Sequence, residues 1–258
     1  MHLLDYLPMW AVFLCTVAIG LLSVETGYRL GKFWKQRHPE EQESHIGAMI
    51  GATLGLWAFL LAFLVGIAIN RYDQRRELMV NEANSIGTTF LRAGYLPQPY
   101  AQESRTLIRE YAAQRLVLAE FDTYQAGRQR SEAIQAELWA LVEQMVANEP
   151  ADPIKGLYIS TLNETIDLHA SRIAALTTGR VPYTLYLAMY LVAFLALLML
   201  GFHSGITGQR DLIVTVVLIV VFSLVMLLIV DLDRSWEGLL RVSQQPIRDL
   251  VEGFAGYK

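Results

Sequence analysis

"INRYDQRRELMVNEAN" (residues 69–84) joins a strongly apolar stretch to a charged one with no glycine or proline between them. Residues 46–70 hold no Asp, Glu, Lys or Arg, and Arg71, Asp73, Arg75 and Arg76 then arrive in quick succession. Beyond them Met79, Ala83, Ile86 and Phe90 continue an apolar stripe at helical spacing. The simplest account is one helix that leaves an oily solvent and runs straight on into water, from Ile46 to about Leu91, with Gly87 as its weak point. At 1.5 Å per residue such a helix is roughly 70 Å long, over twice the thickness of a bilayer core.

The composition agrees. The 258 residues are 53% hydrophobic and only 18% charged, too oily for an ordinary soluble domain. Residues 6–24, 46–70, 181–202 and 212–230 carry no charged side chain, and each is near the roughly 20 apolar residues a helix needs to cross a bilayer. These unbroken runs lack the alternation of barrel strands, which leaves helices as the only way to satisfy the backbone in lipid. The expected fold is an all-α membrane protein: four transmembrane helices, with a helical cytosolic domain inserted between the second and third. Residues 1–70 hold transmembrane helices 1 and 2, 71–180 the cytosolic helical domain, 181–232 helices 3 and 4, and 233–258 a cytosolic amphipathic tail. Near-membrane positives in the middle and tail (Arg71, Arg75, Arg76, Arg172, Arg180, Arg234, Arg241, Arg248) outnumber those of the two short loops (Arg29, Lys32, Lys35, Arg37, Arg210). That balance favours the large domain on the cytoplasmic side of the membrane. Met1–Asp5 offers no Lys or Arg and no clear cleavage site follows Leu14, so the first span is expected to stay attached.

Helical spacing dominates residues 71–180. Ile134, Leu138, Leu141, Val142 and Met145 share one face, and Ile159, Leu162, Ile166, His169, Ile173 and Leu176 alternate steps of three and four like a bundle seam. Pro97, Pro99, Pro150 and Pro153 supply breaks, while Gly179 and Pro182 suit a helix end followed by a new helix at its first turn. In the tail, Pro246 precedes Ile247, Leu250, Val251 and Phe254 on one face. Such a helix can dock on the domain, lie on the membrane, or cover a neighbouring subunit, and the sequence leaves all three open.

Gly47, Gly51 and Gly55 recur every four residues in the second span, and Ala58 and Ala62 prolong their face. Small residues let backbones approach where lipid removes the ordinary hydrophobic drive, so this stripe is expected to pack against protein. Leu56, Leu60, Leu64 and Ile67 are expected to face lipid. Ala52, Phe59, Phe63 and Asn70 form a stripe between the two, which reads either as plain helix packing or, around a shared axis, as a pore lining with a hydrophobic constriction. Asp231 and Asp233 end the fourth span, where the helix dipole disfavours negative charge, and Arg71, Arg75 and Arg234 are available to pair with them. That group reads as an ion-pair ring or as an ion-selecting pore mouth. Glu25 reads as an interfacial side chain, Cys15 as a small packing residue, and His169 as a hydrogen-bonded core histidine rather than a metal ligand. A net charge of −4 gives no nucleic-acid signature, and no enzymatic motif, catalytic residue, cofactor or metal site is read from the chain.

"FLLAFLVGIAINRYDQRRELMVNEANSIGTTFLRAGYLP" (residues 59–97) and "DLDRSWEGLLRVSQQPIRDL" (residues 231–250) resemble the signature segments of the bacterial bestrophin-like membrane proteins. The resemblance covers essentially the whole chain and implies a distant relation to the bestrophins. These are pentameric anion channels whose second transmembrane helix lines a pore with a hydrophobic neck. It implies a homo-oligomer, a pentamer, that meets a lipid bilayer and small inorganic ions; Phe59 and Phe63 take the neck by position. No acidic cluster resembles the bestrophin calcium clasp, so calcium gating does not carry over. The neck has no close motif match, so the pore lining follows from helix order.

Overall fold

The computed structural model describes residues 7–38, 46–117, 124–234 and 238–257. Met1–Asp5, on which the reading of an uncleaved first span rests, and Ser235–Glu237 at the entry to the tail lie outside the described residues. The helices follow in the order α1 (Met9–Arg37), α2 (Ile46–Ala93), α3 (Tyr100–Val117), α4 (Tyr124–Asn148), α5 (Pro153–Thr177), α6 (Tyr183–Thr207), α7 (Leu212–Asp233) and α8 (Gln245–Phe254). No strand occurs among the described residues. The chain divides into two compact units, one of residues 1–71 with 180–240 and one of residues 72–179 with 241–258. Helix α2 is unbroken across 48 residues, as the absence of any breaker at its charged crossing requires.

The first unit holds α1, the apolar part of α2, α6 and α7, the four helices long and apolar enough to cross a membrane. Two of them exceed the expected spans. Helix α1 continues to Arg37, so Glu25, Arg29, Lys32, Lys35 and Arg37 are helical rather than in a loop; Arg29 pairs with Glu25 one turn away at 2.8 Å. Helix α6 continues through His203 to Thr207 and stops at Gly208, whose φ of 77° is the left-handed conformation that ends a helix without a side-chain clash.

The glycines inside these extensions decide the packing. A Cβ added at Gly27 or Gly31 of α1 would collide with the carbonyls of Leu198 or Phe202, and one at Gly201 or Gly205 of α6 with those of Val24 or Tyr28. The two backbones therefore touch through a reciprocal pair of small-xxx-small motifs, and Gly20, Ser23 and Thr16 extend the buried stripe along α1. The hydroxyls of Thr16 and Tyr190 meet at 2.8 Å within the same contact. In α2 the buried side is Ile50, Trp57, Leu64 and Ala68, with the Trp57 ring 4.3 Å from that of Phe222 on α7. Leu64 is thus a correction to the expected lipid-facing set: it lies two turns from Trp57 on the same side and is buried, whereas Leu56 is exposed.

The second unit has the apolar core that the helical spacing predicts. Ile134, Leu138, Val142 and Met145 of α4 meet Met79, Ile86 and Phe90 of α2, Ile108 and Tyr111 of α3, and Tyr158 and Leu162 of α5. Asp152 caps α5 by accepting the Ile154 N–H at 3.1 Å, with Pro153 in its first turn. At the other end the Thr178 and Gly179 N–H groups both donate to the Ala174 carbonyl. Pro182 then occupies the cap before α6 rather than its first turn. The three-way choice for the tail resolves here: Ile247 and Phe254 are buried in this core, and the Phe254 ring stacks on Phe90 at 4.0 Å. Gly87 does not weaken α2 visibly, because Leu250 fills the space beside it, 3.1 Å from where a Cβ would stand.

The glycine contact makes a directional prediction. Gly27→Ala or Gly201→Ala pushes a methyl into a backbone that cannot rotate away, and each should cost about 1–3 kcal/mol. Gly51→Ala, with nothing within 4 Å, should leave subunit stability unchanged or slightly raised. Thermal unfolding of the three variants in detergent reads the difference.

Candidate functional site

Helix periodicity places Phe59, Phe63 and Asn70 on the side of α2 opposite Ile50, Trp57 and Ala68. Phe59 and Phe63 are accordingly 66% and 63% exposed. Asn70 and the stripe Gly47, Gly51, Gly55, Ala58 and Ala62 are exposed as well, and none of the three glycines has a neighbour within 4 Å of an added Cβ. The expected packing stripe is thus not used inside the subunit. An aromatic pair flanked by small residues on a lipid-length helix is left for an outside surface.

The acidic end of α7 is held by backbone N–H groups and a buried guanidinium. Asp233 accepts the Val181 N–H at 2.8 Å and lies 3.6 Å from the Arg180 guanidinium, both groups being buried. The Arg180 guanidinium is thus a cation beside Asp233 that the sequence reading did not name. Asp231 accepts the N–H groups of Leu239 and Leu240 at 2.7 and 3.0 Å, so it fixes the turn that follows α7. Arg234 donates to the Leu7 carbonyl. Arg71 is partly exposed and Arg75 buried.

The second unit contains a charged cluster that the sequence reading did not assemble. Glu82 of α2 is fully buried and meets two guanidiniums: Arg115 Nε at 2.8 Å and Arg172 Nη1 at 2.6 Å. Tyr111 donates its hydroxyl to the same carboxylate at 3.2 Å, and Gln135 donates to the Tyr111 oxygen at 3.2 Å. Arg115 Nη1 donates to His169 Nδ1 at 2.8 Å, and Arg172 Nη2 to Gln244 Oε1 at 2.9 Å. Because an arginine only donates, His169 is the acceptor at Nδ1 and carries its proton on Nε2. His169 is thus the hydrogen-bonded core histidine that was expected. A hydroxyl ladder continues the polar seam, Ser85 to Thr165 at 2.8 Å and Thr89 to Thr165 at 3.1 Å. The signal for this cluster was a charge placed inside an apolar stripe: Glu82 falls between Met79 and Ile86, and Arg115 one turn after Tyr111 and Ala112.

Its electrostatics follow from burial. Burial alone would raise the Glu82 carboxyl, but Arg115 and Arg172 overcome it and hold the group below the usual carboxylate range. His169 moves the other way, its pKa lowered from 6.5 to about 4, first by burial and then by the Arg115 charge. Tyr111 is pushed upward by burial and stays neutral.

Two predictions come from this cluster. Glu82→Gln leaves two buried guanidiniums without a counter-charge and should destabilise the unit by about 3–5 kcal/mol, read by chemical unfolding. For His169 the unfolded chain takes up a proton near pH 6.5 while the folded one resists until about 4, so stability is full above 6.5 and falls through that window. The Glu82 contribution is lost only below 4.5, so a decline above that value belongs to His169. His169→Gln keeps an acceptor for Arg115 without titrating, and melting curves taken between pH 7 and 5 should flatten in that variant.

No curated protein matches the chain. Crystal structures of a bacterial bestrophin homologue from Klebsiella pneumoniae share its fold, with a TM-score of 0.64 at 16% identity over 94% of each chain. A point-substituted form of the homologue gives 0.65 at 15% identity over 95% of this chain and 97% of that one. Another crystal structure, of a membrane protein, gives 0.65 at 15% identity over 95% of each. The Bestrophin-like domain family matches residues 15–247, nearly the whole length, and the chain belongs to that family.

Proposed function

We propose that the chain is the subunit of a homo-oligomeric ion channel whose pore is lined by α2, with Phe59 and Phe63 as the hydrophobic constriction and Asn70 below them. The assembly is a pentamer in the bacterial inner membrane, with the helical unit of residues 72–179 in the cytosol. Its partners are lipid, copies of itself and small inorganic ions; it has no catalytic role and binds no nucleic acid. Asn70, Arg71 and the acidic end of α7 at Asp231 and Asp233 form the pore mouth, and Arg75 and Arg234 complete its charge.

One observation carries this reading: among the described residues, the outward face of α2 between Gly47 and Asn70 is rich in small residues and exposed, and its glycines have no neighbour within 4 Å of an added Cβ. An interior helix glycine costs about 1 kcal/mol relative to alanine. Gly47, Gly51 and Gly55 bring no benefit within the subunit that offsets it, but a second helix backbone seated on them would. Membership of the bestrophin-like family supports the same arrangement.

Gly51→Leu should leave the subunit folded and shift purified protein from oligomer toward monomer in light-scattering chromatography. Intact oligomers reconstituted in planar bilayers should pass reproducible currents, and Phe63→Ala, which shortens the constriction, should raise them. Silence across salts and voltages would overturn conduction and leave a non-conducting scaffold or sensor that couples the helical unit to the membrane.

A further inference from the structure

We infer that the last three turns of α1 form a binding surface for anionic phospholipid headgroups. The inference does not depend on whether the protein conducts. Helix α1 has 29 residues, about 44 Å at 1.5 Å each, against a bilayer core of roughly 30 Å. Its end therefore stands in the headgroup layer, and the residues there change character. Leu22 continues the lipid-facing side, and then Arg29, Phe33 and Arg37 follow at four-residue steps on one face. Phe33 and Trp34 are 51% and 45% exposed, and Lys32 and Arg37 are exposed beside them.

The nearby acid takes one cation of this face, Arg29, while Lys32 and Arg37 are exposed. The two carboxylate oxygens of Glu25 take Arg29 at 2.8 Å and Arg210 at 2.7 Å, and the Arg210 guanidinium also stacks 3.6 Å from the Tyr28 ring. Arg37 lies 4.1 Å over the Phe33 ring, which aims a cation and an aromatic edge the same way. The opposite side of this segment, Gly27 and Gly31, is closed against α6, so the face can only look outward. Aromatic rings at the interface and cations within reach of phosphate are the two chemistries that an anionic headgroup meets. A formal net charge of −4 gives the protein as a whole no attraction for anions, so a preference for anionic lipid has to arise from a local surface of this kind.

The test uses full-length protein in a neutral detergent, titrated with phosphatidylglycerol and followed by native mass spectrometry. Phosphatidylcholine and inorganic phosphate serve as the zwitterionic and headgroup-only controls. Phosphatidylglycerol should bind in preference to both, weaken with added salt, and lose about tenfold in affinity in Lys32→Gln/Arg37→Gln. Arg128→Gln, a half-buried cation on α4 that pairs with Glu132, should bind as the unsubstituted protein does. An unchanged affinity in the double variant overturns the inference. So does equal binding of phosphatidylcholine, the result expected if the glutamates that follow in the sequence at positions 40, 41 and 43 neutralise this face instead. Binding of inorganic phosphate as tight as that of the lipid would also overturn it, since the aromatic residues would then contribute nothing.

Discussion

A single buried carboxylate, Glu82, organises the polar unit. Taking an ion out of water costs several kcal/mol even after relaxation, and the cost is met only where geometry is good and every lone pair is used. Glu82 meets that condition through Arg115 on α3, Arg172 on α5 and the Tyr111 hydroxyl. Shifting α3 or α5 along α2 by one turn would strand a charge, so the cluster sets register where a purely apolar seam of leucines and isoleucines would tolerate sliding. Two guanidiniums against one carboxylate leave one positive charge in excess. A neutral His169 acceptor, the Gln244 oxygen and the Tyr111 ring, 5.6 Å from Arg115, offset it.

The membrane unit fixes register by the opposite means. Lipid tails are as apolar as leucine, so burying more leucine between helices gains little. The α1–α6 contact instead brings backbone onto backbone, at Gly27 and Gly31 on one side and Gly201 and Gly205 on the other. This close approach admits no side chain at four positions, and only one alignment of the two helices puts all four glycines in the contact. Charge in a dry core and absence of side chains in lipid thus solve the same problem of alignment.

The long-range sequence signals were the legible ones. Length and apolarity gave the four membrane helices, and the lack of a breaker through Asn70 and Arg71 gave the continuity of α2. The four-residue glycine spacing was read in α2, where it is most regular, yet the tight intrachain contact lies at Gly27, Gly31, Gly201 and Gly205. Those pairs sit near the C-terminal ends of their helices, and a motif of two glycines does not by itself reveal which helix it meets. Leu64 was misplaced because a stripe drawn at four-residue steps drifts round a helix of 3.6 residues per turn, and two turns are enough to carry it from the outer side to the inner one. The Glu82 cluster was illegible for a different reason. Its members come from α2, α3 and α5, and pairing across such distances is a property of the folded chain alone.

The tail shows how far that cluster reaches. A ten-residue helix such as α8 is unstable in water by itself, since nucleation outweighs the few hydrogen bonds it can form. It exists here because both ends are held. At its start Gln244 accepts from Arg172, the same guanidinium that faces Glu82. At its end Phe254 stacks on Phe90, while Arg109 donates to the carbonyls of Phe254 and Tyr257 and lies 5.1 Å over the Phe90 ring. Arg109 therefore meets the negative end of the α8 dipole and the face of an aromatic ring at once, both favourable for a cation. The aromatic end would hold the tail by contact alone, but the starting end is tied to a guanidinium whose position is set by the buried carboxylate. Order in α8 is in this way a consequence of the charge balance around Glu82.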